Sequence, residues 1–202
     1  MLPAPPVIIQ TPAGTKVCRH GDLMSGNTFG ARLWTDGKFD TPMLPERSAL
    51  QCVEGSLEIF WVSDAEEIQE MPWGASVEGV ANAAPPGVAD YHRALKYGMA
   101  DTPEREIYIR VRLWWLSNDP VRTGKGAPET FGRVENLTRI AELLDITEDE
   151  NRIMLAEIHR ELGDFQKAKD LLDHPFRTEI HNATSRIRDL ARRESTLVAE
   201  IK

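Results

Sequence analysis

The sequence predicts an α+β protein with a small, loop-rich β part in its N-terminal half and a helical domain in its C-terminal half. Turn-forming glycine, proline and asparagine are dense from Cys18 to Pro45, around short runs of β-forming residues. From residue 88 onward, apolar residues recur at helical spacing and helix-start signals precede them. We therefore expect a β part over residues 1–70, a proline- and glycine-rich linker over 71–87 and a helical domain over 88–202.

Three short segments of the N-terminal half are predicted as β structure. Asp36-Gly37 lies between two runs of β-forming residues, 31–34 and 38–39, which is the pattern of a hairpin turn with positive φ at glycine. Residues 57–62 are rich in strand-forming side chains, and we expect a strand there. Val7-Ile8-Ile9, within a proline-rich stretch, predicts an edge strand or a flexible arm.

Helix signals begin after the linker. Residues 90–99 predict a short helix that ends near Gly98. Thr102-Pro103-Glu104 is a strong helix start, with an N-cap hydroxyl, a proline at the first helical position and an acid in the first turn. The apolar residues that follow fit a strand as well as a helix. The start signal decides for a helix, which we expect to end at Asn118-Asp119-Pro120.

The C-terminal third predicts further helices. Residues 147–150 have the pattern of a capping box, which predicts a helix start at Thr147. The last segment, about 178–201, predicts one amphipathic helix with an apolar stripe: Ala183, Ile187, Leu190, Ala191, Leu197, Val198 and Ile201. This stripe either packs back onto the preceding helices or forms a homodimer through positions spaced by seven, such as Leu190 and Leu197.

Residues 152–172 combine two helical segments with small residues at Ala156 and Ala168 and a glycine, Gly163, between them. The small residues allow two antiparallel helices to approach closely, and the glycine lets the chain reverse. This segment resembles the core of a tetratricopeptide repeat. No second copy occurs at a spacing of about 34 residues, so we expect a single repeat-like hairpin over 148–173.

Two knuckle-like segments flank a distinctive run in the N-terminal half. Cys18-Arg19-His20-Gly21 precedes Ser25-Gly26-Asn27-Thr28-Phe29-Gly30-Ala31, and Cys52-Val53-Glu54-Gly55 follows it. With the repeat-like helices, these segments are similar to an uncharacterised bacterial family in which two Cys-x-x-Cys knuckles flank the Ser-Gly-Asn-Thr-Phe-Gly-Ala run. The resemblance implies a zinc-ribbon-like fold for the β part and brings no known activity with it.

The chain keeps the first cysteine of each knuckle and lacks the second, whereas a tetrahedral zinc site uses four ligands. We therefore expect a degenerate zinc-ribbon-like part held by packing, with both thiols buried and no cofactor. The alternative is a zinc site formed by Cys18, His20 and Cys52.

Charge and composition exclude several classes of protein. The 202 residues carry a formal net charge of −8, which argues against a general nucleic-acid binder. No stretch approaches the roughly 18 apolar residues of a membrane span. The first residues lack a charged region, and Val7-Ile8-Ile9 is too short for the apolar core of a signal peptide, so we expect a cytoplasmic location without a membrane partner.

Two further features bear on partners. Glu66, Glu67 and Glu70 form an acidic cluster, which we expect on the solvated face of a helix. Trp114 and Trp115 are adjacent in a predicted helix and cannot both point to one side. Core packing is the favoured interpretation of this pair, and an anchor for a protein partner is the alternative.

Together these features favour a non-enzymatic protein that binds another protein. One concrete form is an immunity or antitoxin-type protein whose acidic surface blocks a basic partner. The alternative is an enzyme with a site in the cleft between the two halves, built from scattered residues such as Asp36, Cys52 and His92.

Overall fold

The computed structural model describes residues 2–20, 23–44, 47–73 and 78–202. It shows an α+β protein with a helical C-terminal region, which confirms the predicted fold class. Two compact units divide the chain. The first comprises Met1–Ala31 and Thr41–Ala94, and the second comprises Arg32–Asp40 and Leu95–Lys202.

Eleven strands and six helices are formed by the described residues. The strands are β1 Leu2–Pro3, β2 Val7–Gln10, β3 Lys16–Arg19, β4 Leu23–Ser25, β5 Arg32–Trp34, β6 Phe39–Asp40, β7 Leu50–Val53, β8 Ile59–Trp61, β9 Glu66–Glu70, β10 Ala81–Ala84 and β11 Glu200–Ile201. The helices are α1 Val88–Lys96, α2 Pro103–Arg122, α3 Arg133–Leu143, α4 Asp149–Glu161, α5 Phe165–Leu172 and α6 His181–Arg192. Each of these helices is too short or too polar to cross a lipid bilayer.

A six-stranded mixed sheet in the order β8-β7-β10-β3-β2-β9 forms the body of the first unit. Only the β10–β3 pair is parallel. Ile9, Val17, Val53 and Phe60 form its core, each at most 4% exposed. Val7-Ile8-Ile9 is therefore neither an edge strand nor an arm. Its isoleucines are buried, and β2 pairs with a strand on each side.

Two segments of the first unit differ from the sequence expectation because long-range pairing determines them. Glu66–Glu70 is a strand paired with β2, so the prediction that these glutamates lie on a helix is wrong. The predicted linker over 71–87 contains β10, whose alanines and asparagine lie between β3 and β7. The proline pair after β10 ends it, since proline cannot donate to a ladder. The zinc-ribbon resemblance of this unit stays a prediction.

The second unit contains the predicted Asp36-Gly37 hairpin. β5 and β6 pair antiparallel around this turn, and Gly37 has φ of 79°, which glycine adopts without a steric penalty. β11 pairs with the other side of β5, so the C-terminal residues complete a three-stranded sheet. Arg32–Asp40 thus belongs with the helices, and residues 88–94 belong with the sheet, unlike in the predicted division.

α2 begins as predicted and continues past its predicted end. The Thr102 hydroxyl accepts a hydrogen bond from the backbone N–H of Arg105 at 3.2 Å. The helix runs through Pro120 to Arg122, four residues beyond Asn118. Asn118 is fully buried and Arg122 makes a buried ion pair with Asp36, and these tertiary contacts outweigh the one backbone hydrogen bond that the proline removes.

α4 and α5 form the predicted antiparallel hairpin. Ala156 and Ala168 are both fully buried, and Gly163 reverses the chain with φ of 85°. The Asp164 carboxylate caps α5 by accepting from the backbone N–H of Lys167 at 3.2 Å. The capping box at Thr147 is wrong, because the N-cap residue of α4 is Glu148 and its side chain makes no capping hydrogen bond. Whether the hairpin is related to tetratricopeptide repeats stays a prediction.

The C-terminal stripe is not one helix. α6 ends at Arg192, and Leu197 and Val198 follow a turn that leads into β11. Ile187 packs with Ala156 and Leu172, so the helical part of the stripe covers the α4–α5 hairpin. The homodimer hypothesis required Leu197 to continue the helix from Leu190, and the structure removes that basis.

We expect Ala168→Glu to lower the free energy of unfolding by about 3 kcal/mol, because a charge would enter a fully buried helix contact. Urea denaturation followed by circular dichroism measures this change. Gln166→Glu adds the same charge at an exposed site of α5, and it should cost less than about 1 kcal/mol although it replaces the hydrogen bond to Asp170 with a like-charge pair. Equal losses in the two variants would contradict the helix contact.

Glu194 is the one non-glycine residue with positive φ, at 52°, in the described chain. It lies two residues after the end of α6, with its backbone in the left-handed region, where a side chain is strained. We expect Glu194→Gly to raise the free energy of unfolding by about 1 kcal/mol. Arg193→Gly is the matched control, since Arg193 has φ of −87° and gains nothing from glycine. A Glu194→Gly protein no more stable than the control would disprove the strain.

Candidate functional site

Six charged side chains meet inside the second unit and form what we call the buried ion cluster. Three are carboxylates and three are guanidinium groups: Asp36, Glu157, Glu161, Arg122, Arg133 and Arg160. None of the six side chains is more than 10% exposed. A group of this size is expensive to bury unless every charge meets a partner.

Different elements deliver the members of the cluster. Asp36 lies in the β5–β6 turn, Arg122 is the last residue of α2, and Arg133 is the first residue of α3. The other three members come from α4, at positions 157, 160 and 161. Residues three and four apart lie on one face of a helix, so α4 presents two carboxylates and one guanidinium group together.

Asp36 is held by both the hairpin and α2. Its side chain accepts a hydrogen bond from the Asn118 amide at 2.9 Å and forms an ion pair with Arg122. The backbone N–H of Lys38 donates to the same carboxylate at 3.2 Å, and Trp115 donates its indole N–H to the Asp36 carbonyl at 3.0 Å. Burial raises the pKa of Asp36, although Arg122 and Asn118 act in the opposite direction.

Glu161 accepts hydrogen bonds from side chains of two helices, α2 and α3. The Trp114 indole N–H donates to its Oε2 at 2.7 Å, the Asn118 amide donates to its Oε1 at 3.1 Å, and Arg133 forms an ion pair with it. Burial, reinforced by the neighbouring Glu157 carboxylate, outweighs Arg133 and raises the pKa of Glu161 to about 8.

Glu157 and Arg160 form a two-bonded pair one turn apart on α4. The guanidinium Nε and Nη2 donate to the two carboxylate oxygens at 2.7 and 2.6 Å. Burial acts to lower the pKa of the Arg160 guanidinium group. The attraction of the acidic neighbours, Glu157 first, outweighs burial and raises that pKa. Arg160 also donates to the backbone carbonyl of Ser195 in the turn after α6. The pair thus ties α4 to the C-terminal residues.

Asn118 links the two halves of the cluster. One amide nitrogen donates to Asp36 and to Glu161, so the two carboxylates share a single donor group. Its carbonyl oxygen has no hydrogen-bond partner among the described residues. The pKa values of Asp36 and Glu161 are both raised, so this arrangement can take up a proton at a buried carboxylate.

The sheet register does not bring the two cysteines together. Cys18 on β3 is opposite Asn82 and Cys52 on β7 is opposite Ala84, so β10 lies between them. Two strand spacings amount to about 10 Å, beyond the reach of a disulfide between them. Both thiols are free and buried.

The cysteine environment favours neutral thiols. Burial raises the pKa of Cys18, and burial together with the nearby Asp90 raises the pKa of Cys52 to about 12. Metal ligation uses the thiolate, which is disfavoured at both positions. His20 directly follows β3 and is exposed. In the described ranges no three histidine, cysteine or acidic side chains group to hold a metal ion. The Cys18, His20 and Cys52 zinc site stays a prediction.

The tryptophan pair has two different environments. Trp114 is 1% exposed and packs with Leu137, Ile140 and Ile158, so its ring offers no surface to a partner. Trp115 is partly exposed, and the Arg112 guanidinium group lies 4.8 Å from its ring centroid. Trp115 therefore combines a cation–π contact with its hydrogen bond to the hairpin.

Of the residues suggested for a catalytic site, Asp36 is buried in the second unit, whereas Cys52 and His92 belong to the first. The sequence patterns predicted no role for the three members of the cluster on α4. Their signal is present in Glu157-Ile158-His159-Arg160-Glu161, where charges occupy the helix face that also carries the buried Ala156. A charged face of this kind is indistinguishable from a solvated one until the neighbouring elements are known.

An exposed acidic strand, β9, lies in the first unit. All five residues of β9 are exposed, and three of them are glutamates: Glu66, Glu67 and Glu70. Among the described residues none of these carboxylates makes an ion pair or a side-chain hydrogen bond. β9 ends the six-stranded sheet, so one of its sides has no neighbouring strand in the described sheet.

Comparison with protein-family models, with curated proteins and with solved structures finds no match for this chain. The interpretation of its sites therefore depends on their geometry and charge.

The raised pKa of Glu161 predicts a pH dependence of stability. The folded protein binds this proton more tightly than the unfolded chain, whose glutamate titrates near 4.5. The stabilisation is complete below pH 4.5 and is lost as the pH rises through about 8. We expect the free energy of unfolding to fall by up to about 1.4 kcal/mol per pH unit in this window because of Glu161.

Glu161→Gln should remove this slope, since glutamine keeps the shape of the protonated acid and does not titrate. Urea denaturation at pH 5, 6, 7 and 8 measures it. Glu148→Gln, at an exposed residue before α4, is the control and should retain the wild-type slope. A Glu161→Gln protein with an unchanged slope would show that Glu161 is ionised throughout.

Proposed function

We propose that this chain is a non-catalytic binding protein for a basic protein partner, and that the acidic edge strand β9 forms the contact. The observation that carries the proposal is the exposure of all five β9 residues with three glutamates among them. Such a strand presents negative charge and open backbone at the same place. Both properties suit a positively charged protein segment.

The distribution of charge supports this choice of surface. The first unit contains ten acidic and four basic residues, whereas the second contains 22 acidic and 20 basic ones. Most of the net charge of −8 therefore belongs to the unit that carries β9. A basic partner is attracted by this excess before contact is made, which raises the rate of association at low ionic strength.

The buried ion cluster is not an alternative binding site, because its charges are already paired inside the second unit. Its carboxylates bind guanidinium groups, an amide and an indole within the second unit. They hold the hairpin, α2, α3 and α4 together and are not available at the surface. A finer form of the proposal is an immunity or antitoxin-type protein, in which an acidic surface of this kind blocks a basic toxin.

The test is binding of poly-L-lysine of defined length to a triple variant with Glu66, Glu67 and Glu70 changed to glutamine. We expect about tenfold weaker binding than for the wild type, because three exposed charge contacts each contribute up to about 1 kcal/mol. Isothermal titration calorimetry at 20 and 150 mM salt measures the affinity and its salt dependence.

The matched control changes Glu135, Glu148 and Glu179, three exposed glutamates of the second unit, to glutamine. It has the same net charge as the β9 variant and should bind nearly as tightly as the wild type. Equal weakening in both triple variants would mean that net charge alone attracts the polymer, and the assignment to β9 would be wrong.

A further inference from the structure

β9 combines an open edge with a local irregularity. It pairs with β2 on one side, and it is the terminal strand of the described sheet on the other. An edge strand directs about half of its backbone N–H and C=O groups away from its neighbour, where another extended segment can pair with them. Ile8 and Ile9 are opposite Gln69 and Glu67, so Ile68 is the extra residue of a β-bulge.

The bulge determines which side chains share a face. Residues opposite each other in a pair of strands lie on one face of the sheet. Glu67 is opposite Ile9 and Glu70 is opposite Val7, and these two partners pack in the same core cluster. Two of the carboxylates therefore project to one face at the sheet edge, and Glu66 projects to the other.

A second copy of the chain is a poor occupant of this edge. Antiparallel pairing of two β9 strands brings the three glutamates of one copy alongside the same three glutamates of the other. Like charges directly opposite each other destabilise a strand pair. Basic side chains at the same positions form attractive pairs instead, so charge complementarity selects a basic segment.

We propose that β9 binds its partner by strand addition, taking up an extended segment with Lys or Arg at alternate positions. This inference rests on the proposed function and specifies its mode. Backbone hydrogen bonds at the open edge supply affinity, and alternate basic side chains meet Glu67 and Glu70 on one face. The exposed Ile68, 43% accessible, contacts the apolar part of a long basic side chain.

The experiment uses the full chain and three synthetic peptides with blocked ends. The first is four repeats of Lys-Thr. The second has the same sequence with every backbone nitrogen methylated, which keeps the charge and removes the donors that a strand needs. The third has serine in place of lysine. We expect the first peptide to bind at least tenfold more tightly than either of the others in calorimetry at 20 mM salt.

A structural measurement accompanies the affinities. Hydrogen exchange followed by NMR should show slower exchange at β9 amides when the first peptide is bound, and no such protection with the methylated one. The variant with Glu66, Glu67 and Glu70 changed to glutamine should bind the first peptide about tenfold more weakly than the control with Glu135, Glu148 and Glu179 changed.

Each outcome separates the two proposals. Equal binding of the lysine and methylated peptides, still weakened by the β9 variant, would leave the acidic contact in place and overturn strand addition. Binding that the β9 variant does not weaken would overturn the proposed function itself. Equal binding of the serine peptide would show that the edge does not select basic segments. Sedimentation of the protein alone also tests the occupant. A dimer that the first peptide dissociates would identify a second copy as the occupant of β9 and would overturn the inference.

Discussion

Three carboxylates are buried in the second unit, and each must meet a cation or a hydrogen-bond donor there. Removing one partner of a buried ion pair costs about 3–5 kcal/mol, because the other charge remains out of water. The donors for Asp36 and Glu161 come from α2 and α3, which are distant from both along the chain. The cluster is complete only when hairpin and helices have assembled. This requirement explains why Arg32–Asp40 belongs to the helical unit.

Two departures from local preference follow from the same requirement. Asn118 and Arg122 both reach Asp36, and they share a helix face only if α2 continues through Pro120. Arg160 binds the Ser195 carbonyl and so helps to position the turn after α6, in which Glu194 takes a left-handed conformation. Each of these conformations has a local cost of about 1–3 kcal/mol, and a tertiary contact in each place offsets that cost.

What the sequence could predict depended on how far apart the determining residues lie. The Asp36-Gly37 turn and the Thr102 cap arise from neighbouring residues, and both are observed. β9 is a strand because β2, more than fifty residues earlier, pairs with it. Its glutamates alone suit a solvated helix equally well. The α4 charges were missed for the same reason, since nothing within Glu157–Glu161 indicates that Arg133 and Asn118 face them.

The division of charge between the units separates the charges that control stability from the charges of the proposed binding surface. Buried pairs are little affected by dissolved salt, whereas exposed charges are screened over about 10 Å at 0.1 M ionic strength. The cluster therefore responds to pH, through acids whose pKa values burial has raised. The β9 glutamates are exposed and respond to salt. Salt that weakens the proposed contact at the edge strand therefore leaves the buried ion cluster intact.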